Sequence, residues 1–153
     1  AGARVQRQGR SIDLHDARIQ AAIVLSAPPF YGEVDAARVL ASVHVPTLHI
    51  TATGDVIRIP GYYSGAEDRL AVYEATGGAR KALAVFDGGS HSMFTDRAGT
   101  GGVALNPQVK AATQALSLAF LGAVFGAADA GAMQRWAEQY RSILARYVGP
   151  VGS

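Results

Sequence analysis

The 153-residue sequence contains no cysteine. That excludes a disulfide framework and any thiolate metal site, and it leaves the compartment, cytoplasmic or secreted, open. Charge is also scarce, at 17% of residues with a formal net charge of +2. The arginines behind the pI of 9.2 are dispersed, as at Arg4, Arg7, Arg10 and Arg18, whereas tracking phosphates requires a basic stripe. Nucleic acid is therefore not an expected partner. No apolar run reaches the roughly 20 residues of a membrane span, and the longest, "ALSLAFLGAVFGAA" from Ala115 to Ala128, reads as a buried helix. His15, His44 and His49 show neither i, i+4 spacing nor a converging set of carboxylates, so no metal site is expected. Internal repeats, low-complexity blocks and heptads are absent too. The opening "AGARVQRQGR" starts on Ala1 and carries no apolar signal-peptide core, so the chain is expected to begin inside a longer gene.

What is present is a 49% hydrophobic composition, enough for one domain with a sizeable core. Three short apolar runs read as strands. "RIQAAIVLSAPP" holds the run Ala21 to Leu25, stopped by a double proline; "VPTLHITATGD" places a strand at Thr47 to Thr51, ended by Gly54; "KALAVFDGG" ends at Gly88. Continuous apolar runs with β-branched residues suit strands buried on both faces of a parallel sheet. Between them, "EVDAARVLASV" offers Asp35 as a helix N-cap, and "SGAEDRLAVYEATGG" pairs Ser64 with Glu67 at capping-box spacing and stops at Gly77 and Gly78. The order β-α-β-α-β implies parallel strands with right-handed crossovers. Two helices close the chain. One starts with Asn106 as cap and Pro107 at its first position; the other carries Met133, Trp136, Ala137, Tyr140, Ile143, Leu144 and Tyr147 at helical spacing up to Gly149 and Pro150.

Loops leaving the carboxyl ends of parallel strands share one edge, where ligands bind. Asp55 follows the second strand and His91 the third. On neighbouring strands, about 4.8 Å apart, the carboxylate can reach the ring, fix its tautomer and stabilise the imidazolium, which is two thirds of a catalytic triad. Gly88 and Gly89 permit the sharp turn that sets His91 on the rim. Asp87 is a rival acid with poorer geometry, since it shares the histidine's own strand end. His49 reads as a hydrogen-bonded core histidine, and His15 and His44 as surface residues. Phe30 and Tyr31, after the first strand, are candidates to line an acyl or alcohol pocket, with packing as the equal alternative.

These residues resemble the α/β-hydrolases, and among them the dienelactone hydrolase, polyester hydrolase and chlorophyllase-like esterases. "AAIVLSAPP" resembles that fold's sixth strand, "VPTLHITATGDVIRIP" the seventh with its acid, and "ALAVFDGGSHSMF" the eighth with its histidine; "FLGAVFG" and "RWAEQY" are similar to the closing helices. The fold class implied is α/β, the C-terminal part of an α/β-hydrolase, with three parallel strands, crossover helices and two C-terminal helices. The resemblance implies that Asp55 and His91 are the acid and base of a carboxylic ester hydrolase working through an acyl-enzyme, without metal or organic cofactor.

Enzymes of this fold carry serine on a Gly-x-Ser-x-Gly elbow after the fifth strand, and no such motif occurs in this sequence. Ser26 has the right chain order but lacks both glycines, and Pro28 and Pro29 oppose the helix an elbow must feed. It reads as a strand-end serine satisfied by backbone. Residues 1–153 are thus expected to form a single partial domain without the N-terminal strands and elbow, inactive alone, with Ala1 to Gly9 as the tail of a missing helix. The apolar edge of "AAIVL" would pair with the missing part or with another chain. The expected substrate is a small-molecule or polymeric ester, because the connection "FYGEVDAARVLASVHV" is too short for a large lid. Two alternatives remain, a non-catalytic binding module and a hydrolase of the same fold with a different nucleophile.

Overall fold

A computed structural model describes residues 2–27, 35–95, 105–127, 129 and 131–150. The chain is mixed α/β. Its main sheet has four strands in the order β3 (Ala22–Leu25), β4 (Thr47–Ala52), β7 (Lys81–Phe86) and β8 (Leu144–Val148). The first three run parallel, with Ile23 opposite Leu48 and His49 opposite Leu83. Helix α1 (Ala36–Leu40) leads from β3 to β4 and α2 (Ala66–Ala75) from β4 to β7, as crossovers. Asp35 caps α1, its Oδ1 accepting from the N–H groups of Ala37 at 2.9 Å and Arg38 at 3.3 Å.

Because side chains alternate across a strand, the two central strands feed two cores. Leu48, Ile50, Ala52, Ala82, Ala84 and Phe86 face α3 (Leu105–Phe125) and α4 (Ala132–Gln139), where Val109, Ala112, Leu116, Phe120, Met133 and Trp136 are buried. On the opposite face Leu83 and Val85 pack with Tyr73 of α2, while Val39, Leu40, Val43 and Val72 form a third cluster. Trp136 Nε1 donates to the Ala112 carbonyl at 2.8 Å and locks α4 against α3. At 21 residues α3 is long and apolar enough to cross a membrane by length and composition. Its buried stripe at Val109, Ala112, Leu116 and Phe120 nevertheless lies on the sheet, so a membrane span is not supported.

Several expectations are corrected here. The stretch 4–13 is no helix tail: β1 (Arg4–Arg7) and β2 (Arg10–Asp13) form an antiparallel hairpin, turned by Gln8 and Gly9, both at positive φ, as a two-residue loop between twisted strands requires. The second closing helix ends at Gln139; after a 3₁₀ turn the chain becomes β8, antiparallel to β7. Apolar residues at helical spacing still reach the core there, since Ile143, Leu144 and Tyr147 pack on the main cluster, but Ile143 does so from the 3₁₀ turn and Leu144 and Tyr147 from a strand that satisfies the backbone groups along β7's outer edge. The run at β3 is not buried on both faces. It is an outer strand, half-buried, with Leu25 46% exposed. The cap of α2 shifts by one residue, with Asp68 accepting from Gly65 N–H at 3.0 Å. A short hairpin of β5 (Ile57–Ile59) and β6 (Tyr62–Ser64), not foreseen, precedes it. At the other end of α2, Lys81 Nζ donates to the carbonyls of Tyr73, Glu74 and Thr76 at 2.9, 3.1 and 2.9 Å, taking up carbonyls that a helix end leaves open.

Candidate active site

Parallel pairing of β4 with β7 brings the loops after Ala52 and Phe86 out side by side. The two loops are stapled together. Thr53 N–H donates to the Phe86 carbonyl at 2.9 Å, and Thr53 Oγ1 accepts from Gly88 N–H at 2.7 Å and donates to Asp87 at 3.3 Å. Gly54 passes so close to Gly89 that a Cβ there would overlap the Gly89 carbonyl oxygen. Gly88 and Gly89 adopt φ of 74° and 79°, a region that disfavours side chains, and this turn delivers His91 at the start of a 3₁₀ helix, His91–Phe94, anchored by buried Met93.

Asp55 and His91 meet there. The imidazole Nδ1 lies 2.9 Å from Asp55 Oδ1. The Asp55 carboxylate is wholly buried while the His91 side chain is 41% exposed. Thr51 Oγ1 donates to Asp55 Oδ2 at 2.8 Å, and the buried Arg69 guanidinium places Nε 3.6 Å from Oδ1. Asp87 is turned to Thr53 instead. Phe30 and Tyr31 lie outside the described residues. His15 and His44 are exposed.

Two residues behave unlike their sequence expectation. Ser26 does bond by its backbone, N–H to the Ile50 carbonyl at 2.8 Å, but its hydroxyl oxygen lies 2.7 Å from His91 Nδ1 and its φ is +50°, an uncommon conformation for a non-glycine residue. His49 is core, at 4% exposure, yet neither ring nitrogen has a hydrogen-bond partner among the described residues. It packs edge-on to Tyr73. Burial first and Lys81 second push its pKa down to about 4, so it stays a neutral filler near pH 7.

The proton positions follow from chemistry. A carboxylate only accepts, so the Nδ1 facing Asp55 carries the hydrogen and the lone pair resides on Nε2. Both His91 hydrogen bonds among the described residues run to Nδ1, which leaves Nε2 to take a proton from an incoming group. Ser26 touches the nitrogen that Asp55 already occupies, and one nitrogen cannot donate to the acid and accept from a nucleophile at once. Two cavities among the described residues sit elsewhere. One of about 240 Å³ lies beside Arg4, Ser11 and Arg38, and one of about 190 Å³ beside Pro46 and Arg80, before the starts of β4 and β7.

The supporting residues that sequence reasoning passed over are Thr51, Thr53, Gly54 and Arg69. Period-2 alternation in "TLHITATGD" signals that Thr51 shares the His49 face; nothing local signals that Arg69 turns inward. Comparison with protein-family models, curated proteins and solved structures finds no match.

Proposed function

We propose that this chain supplies the acid, Asp55, and the base, His91, of a carboxylic ester hydrolase of α/β-hydrolase type, whose serine stands on a segment outside this sequence. The carrying observation is the Nδ1 to Oδ1 contact of 2.9 Å, with no hydrogen bond to Nε2 among the described residues. In this reading Nε2 removes the serine proton as the hydroxyl attacks the ester carbonyl, returns it to the leaving alcohol, and then activates water against the acyl-enzyme. The half-exposed outer strand β3 supports it as well, because a further strand bearing the nucleophile fits beside that edge.

Ser26 favours a second reading, a nucleophile within the chain, through its 2.7 Å contact and positive φ. Hydrolysis of p-nitrophenyl acetate separates the two. Under the first reading the chain alone gives slow turnover, linear in ester and indifferent to serine-directed phosphonates; joined to an upstream coding segment bearing a Gly-x-Ser-x-Gly elbow, it gives saturable turnover lost in His91→Ala and Asp55→Ala. Saturable, phosphonate-sensitive activity of the chain alone, abolished by Ser26→Ala, overturns it in favour of Ser26. An upstream segment without an elbow nucleophile overturns the first reading, and together with an inactive chain it overturns both in favour of a binding module.

A further inference from the structure

Asp55 is a carboxylate with no exposed surface, and such a group persists as an anion only with a countercharge and hydrogen bonds. Its two hydrogen-bond partners, Thr51 and His91, are neutral donors whenever His91 is competent as a base. The one cation in contact with it among the described residues is Arg69, itself 2% exposed. Arg69 sits in the first turn of α2, where Nη1 donates to Ser64 Oγ and to the Gly65 carbonyl and lies 4.0 Å from the partly exposed Asp68. Its Nε and Nη2 have no hydrogen-bond partner among the described residues. A guanidinium buried at this cost serves the buried carboxylate it faces more than the partly exposed Asp68.

We propose that Arg69 is a positioning residue of the Asp55–His91 pair: its buried guanidinium is the countercharge of the Asp55 carboxylate that His91 Nδ1 contacts, and its loss leaves that carboxylate to be balanced by a proton on His91. The proposal rests on the reading of His91 as the base. The burial carries it. Asp55 and Arg69 are 0% and 2% exposed, whereas Asp68, the other carboxylate near the guanidinium, is partly exposed. Removing Arg69 leaves Asp55 without a buried cation among the described residues, and a proton on the part-exposed His91 would then supply the missing charge. The other groups facing the cluster are Asp68 on α2, the Ser64 and Ser26 hydroxyls and His49 on β4, which shares a small void with Arg69 and Thr51 and is neutral near pH 6.

The test is carbethoxylation by diethyl pyrocarbonate, which attacks the unprotonated ring nitrogen, followed at pH 6 by peptide mapping, with exposed His15 and His44 as internal references. Arg69→Met should slow modification of His91 roughly three- to tenfold, the size expected when a charge is removed beside a coupled pair, whereas Arg69→Lys keeps the wild-type rate. An unchanged His91 rate in folded Arg69→Met overturns the proposal. Where Arg69→Met does not fold, the Asp55→Asn/Arg69→Met variant decides. Recovery of the folded state supports a matched charge pair, and a double variant as unfolded as the single one refutes it. Neither readout requires esterolysis, so a chain that behaves as described but stays inactive when joined to an elbow sinks the esterase reading alone.

Discussion

His49 makes the protein's acid stability calculable. Its pKa is held at about 4 against the usual 6.5, because burial disfavours the imidazolium and the Lys81 charge disfavours it further. The unfolded chain therefore binds a proton at His49 at higher pH than the folded one. For a group whose folded pKa is depressed, the stabilisation is complete above pH 6.5, declines as pH falls, and is exhausted below about pH 4. A gap of about 2.5 units at 1.36 kcal/mol each corresponds to about 3 kcal/mol, a large share of a small domain's total stability. Urea unfolding at intervals from pH 7.5 to pH 4 measures it. His49→Leu removes both unpartnered nitrogens, and the difference between variant and wild type isolates this residue from the carboxylates. The expected result is a wild-type slope across that window that the variant loses. Parallel wild-type and His49→Leu curves would refute the reasoning. The experiment also guards the functional assignment, since activity lost below pH 6 through unfolding at His49 would otherwise be credited to His91.

Thr51→Val keeps the shape of a buried β-branched residue while deleting the hydroxyl that donates to Asp55. A charge-assisted hydrogen bond of this kind is worth about 1.5–3 kcal/mol, and a loss below 0.5 kcal/mol in urea unfolding would show that Asp55 does not depend on it. Gly54→Ala forces a Cβ against the Gly89 carbonyl and should separate the two site loops. About 1–3 kcal/mol of stability is expected to go, and the His91 ring resonances should move as its contact with Asp55 is lost; unaltered resonances would argue that the loops are not in contact.

The legibility of the fold follows the range of the forces involved. The three parallel strands and the helix cap at Asp35 were readable because apolar runs, double proline and capping side chains act within a few residues. The hairpin Gln8–Gly9 and the strand β8 were not. "LARYV" carries helical spacing and strand propensity together, and what decides between them is the unpaired edge of β7, some 60 residues earlier in the chain. Arg69 was hidden for the same reason. On the helical pattern of "AEDRLAVYEA" it reads as a solvated charge, and only the carboxylate left after β4 makes an inward guanidinium favourable.

A carboxylate, a tautomer and a free lone pair are linked through one ring in this site, and that ring also judges Ser26. For Ser26 to be the nucleophile, its hydroxyl must give its proton to a nitrogen with a lone pair, yet the nitrogen beside it is the one whose hydrogen points at Asp55. Rotating the ring by half a turn places carbon where Nδ1 now sits and breaks the bond to the acid, so no rotamer flip alone serves both partners. The contact of 2.7 Å is then a hydroxyl oxygen accepting a share of the Nδ1 hydrogen. In that role Ser26, at its positive φ, braces the ring at Nδ1. Geometry of this kind separates a serine that touches a histidine from a serine that the histidine can activate.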